Sequence, residues 1–213
     1  MFLLVFALPE EARVVRKRTR WMQRTKEISK GIFAGREIAI QFIGIGGTAI
    51  RKLDQTIHQL TPDLVISSGF SGSTRSLLEP GDFVLASNYT DPGMAARLVL
   101  QKVADAAGLF AGVTKVAGVT DKWALNRLGS SIAVDMESKA IAEVCQRTNT
   151  PLITVRMISD GINETIPSVF IRKKLPRVAE VGEAVRFVVR MLRLTGKLAD
   201  RLEEVVRSVP HGR

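Results

Sequence analysis

Segments typical of strands and of helices alternate along the whole chain. Short runs of consecutive apolar residues predict buried strands, and longer stretches with apolar residues three to four positions apart predict helices. The predicted strands are Phe2–Ala7, Ile28–Phe33, Glu37–Ile43, Leu64–Ser68, Asp82–Ala86, Ile132–Val134 and Leu152–Ile158, with an extended piece at Ala111–Val119. The predicted helices are Glu10–Arg20, Thr48–Gln59, Pro92–Ala107, Met136–Arg147 and a basic C-terminal segment at about 176–207. This alternation predicts a single α/β domain over residues 1–213, with a mixed central sheet flanked by helices.

The composition narrows the class of protein. With 46% hydrophobic and 24% charged residues, the chain of 213 residues is expected to be globular. One cysteine excludes an internal disulfide framework and suits a reducing cytoplasm. Two histidines are too few for a His-rich metal site or a Ser-His-Asp triad. The apolar start Met1–Leu8 has no basic region before it, so it is predicted to be a strand and not a signal peptide.

The net charge of +10 is unevenly distributed. Residues 13–30 carry eight basic side chains and one acidic, and residues 172–213 carry eleven basic and five acidic. Such segments favour anionic partners. In the C-terminal segment, basic residues recur on one side of a helix that either docks on the sheet or approaches an anionic membrane surface. Nucleic acid is a disfavoured partner, because no stripe of aromatic residues is interleaved with the basic ones.

Acidic residues follow two predicted buried strands at the point where each strand ends. Asp135 and Glu137 follow Ile132–Val134, and Asp160 follows Leu152–Ile158. Open α/β sheets bind ligands at the carboxyl ends of their strands. Because one helix joins these two ends, we expect the carboxylates to converge on one small molecule.

Five blocks of sequence, in order and covering roughly residues 2–165, resemble the nucleoside phosphorylase/nucleosidase superfamily, in particular methylthioadenosine/S-adenosylhomocysteine nucleosidases. The blocks are Phe6-Ala-Leu-Pro-Glu-Glu-Ala12, Gly44-Ile-Gly-Gly47, Pro62–Gly72 with Pro80–Val84, Ala133-Val-Asp-Met-Glu-Ser138 and Val155-Arg-Met-Ile-Ser-Asp160. The resemblance implies a nucleoside phosphorylase-like fold, cleavage of a purine N-glycosidic bond, no cofactor, no metal and a homodimer.

The resemblance also implies roles for individual residues. Asp160 matches the acid that protonates the purine, with Ser159 orienting it, and a closed strand end is a place where a carboxyl pKa can be raised. Glu137 matches the carboxylate that binds the ribose hydroxyls, and Met136 the side chain that packs on the sugar. Glu11 matches the glutamate that activates water, with Glu10 as its competitor.

Further residues are assigned more loosely. Arg156 is expected to position the loop at the end of the last predicted strand that carries the proton donor Asp160 (the acid loop). Phe70, Ser71 and the backbone of Gly46 are expected at the substrate, and Trp123 is the aromatic nearest the position where the family stacks a ring on adenine.

Each of these residues also has a purely structural interpretation. Glu10 and Glu11 could begin a helix, Asp135 could cap one, Met136 could be core, and Asp160 could open a turn. The glycine clusters could instead bind phosphate, helped by Thr48, Ser71 and Arg75. A phosphorylase, and a non-catalytic protein that binds nucleotides or polyanions, therefore remain alternatives.

The chain also departs from the nucleosidase pattern, because the segment between Ala86 and Val119 is short and has no clear match to the aromatic loop that covers a methylthioribose. A shortened loop suits a bulky 5′ substituent. Together with Val134-Asp-Met-Glu-Ser138 and the basic tail, the short segment, which contains Thr90–Arg97, resembles hopanoid-associated nucleosidases. This implies adenosylhopane as substrate and a cytoplasmic protein that touches the inner face of the membrane.

Overall fold

The core of the fold is a sheet of ten strands within residues 1–24, 28–167 and 181–210, the parts of the chain that the computed structural model describes. In chain order the strands are β1 (Phe2–Phe6), β2 (Arg20–Arg24), β3 (Ser29–Phe33), β4 (Arg36–Phe42), β5 (Leu64–Ser67), β6 (Phe70–Ser73), β7 (Phe83–Ala86), β8 (Ala106–Gly112), β9 (Ser131–Asp135) and β10 (Leu152–Asp160). Their order in the sheet is β2-β3-β4-β1-β5-β10-β6-β9-β8-β7.

Strand β10 joins the two halves of this sheet. Its first residues pair with β5 in a parallel arrangement of β4, β1, β5 and β10. Its later residues pair with β6 on one side and with β7 on the other, so β10, β6, β9, β8 and β7 close on themselves. All nine residues of β10 are buried, polar ones included. A ligand site at its end is therefore built on a rigid element.

Helices cover both faces of the parallel part of the sheet, which is formed by β4, β1, β5 and the first residues of β10. The helices are α1 (Arg13–Arg18), α2 (Ile50–Leu60), α3 (Pro92–Leu100), α4 (Val119–Arg127), α5 (Ser138–Arg147) and α6 (Val181–Ser208). Alternate residues of β1 point to opposite faces, as in any strand: Leu4 and Phe6 lie in the same apolar cluster as Leu202 of α6, while Leu3 and Val5 lie in a cluster with α2 and α5. The predicted α/β fold, with a mixed sheet between helices, is confirmed.

Several predicted boundaries were wrong. The first helix is shorter than Glu10–Arg20, because Arg20–Arg24 forms β2, which pairs with β3. The strand β6 lies inside the predicted loop Gly69–Pro80, and β8 begins at Ala106, inside the predicted helix Pro92–Ala107. The helix α4 was not predicted. Residues 176–180 of the predicted C-terminal helix lie outside the described residues, whereas Val181–Ser208 is helical as expected.

None of the described helices is both long enough and apolar enough to cross a membrane.

Candidate active site

The short strand β6 brings the acidic residues of three separate segments together. At its start, the backbone N–H of Phe70 donates to Glu11 Oε1 over 3.3 Å. Two residues further on, Gly72 lies opposite Asp160 on β10 and opposite Val134 on β9. With a rise of about 3.3 Å per residue, the two levels are roughly 7 Å apart. The predicted convergence of the carboxylates therefore has a structural basis in β6, a strand that the sequence pattern did not indicate.

Glu11 lies in the turn after β1, at the level of Phe70. Its carboxylate accepts hydrogen bonds from the backbone N–H groups of Leu8, at 2.9 Å, and Phe70. A β-carbon at Gly69 would lie 2.7 Å from Glu11 Oε1, so the carboxylate needs glycine there. Burial raises the pKa of Glu11 to about 7, against the lowering effect of both N–H groups and of Arg156. A group with this pKa can accept a proton near neutral pH. Its competitor Glu10 is exposed.

Glu137 lies near enough to Glu11 for its charge to contribute to the raised pKa of Glu11, and the Arg156 charge opposes the rise in the pKa of both carboxyl groups. The N–H of Gly46 donates to Glu137 Oε1 over 2.7 Å. Burial raises the pKa of Glu137, although that hydrogen bond and Arg156 oppose the shift. A β-carbon at Gly46 would lie 3.5 Å from the Met136 Cε methyl, so the methionine lies over the turn of residues 44–47 (the glycine turn). Glu11, Met136, Glu137 and Gly46 thus form one wall of the candidate site.

The buried Arg156 belongs to this wall and not to the acid loop. It forms an ion pair of 2.9 Å with Asp135 and donates to the hydroxyls of Ser67 and Ser138. The expectation that Arg156 positions the acid loop was wrong, because β9 is antiparallel to β6 and brings Asp135 alongside the middle of β10. The Asp135 carboxylate also accepts from the N–H of Ser138, the first residue of α5. It therefore contacts the start of that helix, but the N-cap residue is Glu137 and not Asp135, because the helix begins at Ser138 and not at Met136.

Asp160 ends β10 and is only 3% exposed. Its Oδ1 lies 2.5 Å from Ser159 Oγ, which in turn lies 3.2 Å from the carbonyl oxygen of Ser71. A hydroxyl carries one hydrogen, so Ser159 either donates to the Asp160 carboxylate or donates to Ser71 and accepts from a protonated Asp160. The pair can thus hold either protonation state in one orientation, as an acid that loses and regains a proton requires.

The second oxygen of Asp160 is in contact with a lysine that the sequence pattern did not single out. Lys122, on α4, is 1% exposed and donates to Asp160 Oδ2. It also donates to the carbonyl oxygens of Gly161, at 2.9 Å, and Glu164, at 2.8 Å. A buried lysine is rare and is normally paired. The sequence Gly118-Val-Thr-Asp121 could have indicated the start of α4, the helix that carries Lys122, because the Asp121 carboxylate accepts a hydrogen bond from the Gly118 N–H there.

The remaining predicted residues lie around the acid. Trp123, next to Lys122, is partly exposed and its indole donates to Asn163 Oδ1 over 3.0 Å. Phe70 contributes its backbone to Glu11. The Ser71 hydroxyl is buried and has no hydrogen-bond partner in the described residues. Buried polar groups are usually paired, so a free hydroxyl beside two carboxylate sites is a candidate contact for a ligand or water.

Groups that could have bound phosphate are mostly engaged elsewhere. The Gly46 and Phe70 N–H groups donate to glutamates, and Arg156 is paired with Asp135. Arg75 donates to the carbonyl of Gly129, and Thr48 is exposed. Two carboxylates therefore stand where a phosphate would need donors, and they would repel it. Within the described residues, no cluster of His, Cys, Asp and Glu has the makeup of a metal site.

The arrangement combines two chemical functions at two levels of β6. At one level, a carboxylate with a pKa of about 7 lies beside a second carboxylate that can accept hydrogen bonds from hydroxyl groups. At the other level, a carboxyl group lies between a hydroxyl and an ammonium group. A pair of carboxyl groups separated in this way can protonate a leaving group on one side and activate water on the other.

Two relatives that match most of this chain have the same name. At 28% identity over 85% of this chain and 94% of its own length, a relative is 5′-methylthioadenosine/S-adenosylhomocysteine nucleosidase of Haemophilus influenzae strain 86-028NP. Another, from Geobacillus kaustophilus, has the same name and is 25% identical over 76% of this chain and 84% of its own length.

Solved structures share the fold across almost the whole chain. S-adenosylhomocysteine nucleosidase of Streptococcus pyogenes, bound to 5-methylthiotubericidin, superposes with a TM-score of 0.75 at 18% identity, covering 99% of this chain and 97% of its own. Futalosine hydrolase of Helicobacter pylori gives 0.72 at 17% identity, covering 98% and 97%. The family model described as the phosphorylase superfamily matches residues 2–108, half of the chain, which include β1, the glycine turn and β6. With this match and the fold in agreement, the chain belongs to the phosphorylase superfamily.

Proposed function

We propose that the protein is a purine nucleosidase that cleaves the N-glycosidic bond of an adenosine-type nucleoside with water. The observation that carries this proposal is the raised pKa of Glu11, to about 7, in a site whose backbone donors are already engaged by carboxylates. Such a site can activate water and disfavours phosphate. The nucleosidases that this chain resembles in sequence, at 25–28% identity, support the same class of reaction.

In the proposed mechanism, Asp160 donates its proton to the purine N7 as the bond between the ribose C1′ and the purine N9 breaks. Glu137 accepts hydrogen bonds from the ribose hydroxyls, and Met136 packs on the sugar. Glu11 takes a proton from water while the water oxygen bonds to C1′. The positive charge that develops on the ribose lies close to Glu11 and Glu137, which stabilise it electrostatically. The products are the free base and a ribose that keeps its 5′ substituent.

We further propose a 5′-lipidated adenosine, such as adenosylhopane, as the substrate, on the basis of the short segment between β7 and α4. The test is a panel of adenosine, methylthioadenosine, S-adenosylhomocysteine and a 5′-lipidated adenosine, each with and without phosphate. We expect adenine release to be independent of phosphate and kcat/KM to be highest for the lipidated substrate. Release that requires phosphate and yields ribose-1-phosphate would instead identify a phosphorylase, and a preference for S-adenosylhomocysteine would contradict the lipidic substrate.

A contact with the cytoplasmic face of an anionic membrane is proposed for the first turns of α6. There, Val185, Val188, Val189 and Leu192 are 41–56% exposed. A groove of about 440 Å³ in this region is also lined by Arg186, Arg193 and Lys197. Exposed apolar residues flanked by basic ones fit a surface of anionic lipid. Because Arg190 of α6 contacts Glu164 after β10, binding of α6 to a membrane would bring the active site close to the lipid.

Replacing Val188 and Leu192 by serine is expected to reduce binding to vesicles of phosphatidylglycerol at least 10-fold, since each buried apolar side chain contributes on the order of 1.5–3 kcal/mol. Co-sedimentation measures the binding, and phosphatidylcholine vesicles control for charge. The matched control is Leu77→Ser, because Leu77 is 91% exposed and does not belong to α6. Equal binding by the double variant and the wild type would contradict the contact.

A homodimer is proposed from the family resemblance alone, and light scattering of the purified protein would measure its mass.

A further inference from the structure

The loop that follows β10 is held from two sides by basic residues. Arg190, on α6, contacts both carboxylate oxygens of Glu164, at 2.6 and 3.2 Å, and the carbonyl oxygen of Ser159, at 3.4 Å. Lys122, on α4, binds Asp160 and the carbonyls of Gly161 and Glu164. Although burial opposes the shift, the hydrogen bonds from Arg190 and the Gly161 N–H and the charges of Arg190 and Lys122 lower the pKa of Glu164. Asp160 thus lies at the start of a loop that α4 and α6 hold in place.

The surroundings of Lys122 are suited to a protonated lysine. An ammonium group has three N–H donors, and all three are used, one on a carboxylate and two on carbonyl oxygens. A surface lysine that had folded inward by chance would not meet three acceptors of one loop. Since Asp160 is also buried, an unpaired ammonium or carboxylate here would be costly, and the pair depends on its geometry.

Gly72 leaves the room that this pair occupies. A β-carbon at Gly72 would lie 2.8 Å from Lys122 Cε and 3.1 Å from Asp160 Oδ2. The strand β6 therefore packs its bare backbone against the Lys122–Asp160 pair, opposite α4. The pair is enclosed by α4, β6 and the loop after β10, which leaves Asp160 Oδ1, on the Ser159 side, as the oxygen available to a substrate.

Resting on the proposed nucleosidase function, we propose that Lys122 is a positioning residue for the acid, which fixes Asp160 Oδ2 and the following loop so that Oδ1 faces the purine and which stabilises the carboxylate left after proton donation. When the Asp160 O–H bond breaks and the N7–H bond forms, the new negative charge lies against the Lys122 ammonium. An adjacent positive charge favours the ionised form of a carboxyl group, so it assists the loss of the proton. Lys122 itself gives up no proton.

Lys122→Met removes the charge and the three donors while keeping an unbranched side chain as far as Cε. We expect kcat/KM for adenine release to fall about 100-fold, the order of effect that a positioned acid contributes. The pH–rate profile should also change, because the positive charge that faces the Asp160 carboxylate is gone. The other charged groups near the loop, Glu164 and Arg190, are unchanged. Lys115→Met, at an exposed lysine before α4, is the matched control and should behave as the wild type.

Lys122→Gln separates the charge from the hydrogen bonds, because its amide can still donate to the loop carbonyls. Gly72→Ala disturbs the same pair from β6 and should also lower kcat/KM. Circular dichroism checks the fold of each variant, and titration with free adenine measures base binding without turnover. A pH profile of folded Lys122→Gln that is identical to the wild type would overturn the inference while leaving the nucleosidase function intact. Absence of both adenine release and adenine binding in the wild type would overturn both.

Discussion

Replacing Asp160 by asparagine is expected to lower kcat/KM for adenine release by about 10³-fold, within the range that removal of a general acid produces. Asparagine has the shape of the carboxyl group and can still accept a hydrogen bond from Lys122, but it has no proton to give to the purine. The loss should lie mainly in kcat, since the side chain acts on the departing base in the transition state.

The same substitution is expected to reduce the free energy of unfolding by about 3–5 kcal/mol, because it leaves the buried Lys122 ammonium without its negative partner. Chemical denaturation measures this change, and circular dichroism verifies that the fold is kept. The matched control is Asp200→Asn, since Asp200 forms an exposed ion pair with Arg18, and such pairs contribute about 0–1 kcal/mol. A folded Asp160→Asn protein with the normal rate of release would show that another group is the acid.

Glu11→Gln is expected to lower kcat/KM for adenine release at least 100-fold and to stabilise the folded protein. A general base must be ionised, and the pKa of Glu11 is about 7, so the wild-type kcat/KM should rise with pH through about 7. The glutamine variant cannot accept the proton of water at any pH, so this ascending limb should disappear with the activity. The exposed Glu10→Gln is the matched control, which also distinguishes the two adjacent glutamates.

The stability effect follows from the direction of the pKa shift. Because the folded-state pKa of Glu11 is raised from 4.5 to about 7, its protonated form stabilises the folded protein below pH 4.5, and this contribution is lost as the pH rises through 7. The difference corresponds to about 3 kcal/mol. About 1 kcal/mol of it is offset in Glu11→Gln, since one amide oxygen cannot accept from both Leu8 and Phe70 as well as a carboxylate does. We therefore expect the free energy of unfolding at pH 8 to rise by about 2 kcal/mol, and a decrease would contradict the burial of an ionisable carboxyl group.

The sequence predicted the parts of the fold whose residues are consistently apolar. The strands β1 and β10 are buried on both faces; β1 is a continuous apolar run, and the first seven residues of β10 are apolar except Thr154 and Arg156. The positions of Glu137 and Asp160 followed from them, because acidic residues after buried strands lie near the edge of the sheet.

What the sequence pattern missed depends on tertiary contacts. The strand β6, Phe-Ser-Gly-Ser, has the composition of a loop and is a strand because β10 and β9 pair with it on both sides. The helix α4 has no clear apolar face. Lys122 has the sequence context of a surface lysine, and only the packing of α4 against the loop after β10 places its ammonium group on Asp160. The parallel or antiparallel direction of β9 also lay beyond the pattern, which is why Arg156 was assigned to the wrong segment.

In the proposed mechanism, Glu11, Glu137 and Asp160 act together on one purine nucleoside. Its most direct test is the rate of adenine release from 5′-methylthioadenosine in phosphate-free buffer by the wild type, Glu10→Gln and the variants Glu11→Gln, Glu137→Gln and Asp160→Asn, measured side by side. We expect the wild type and Glu10→Gln to release adenine at equal rates and each of the other three to be at least 100-fold slower. Release by the three variants at the wild-type rate, or none by the wild type on this or any other adenosine derivative, would contradict it.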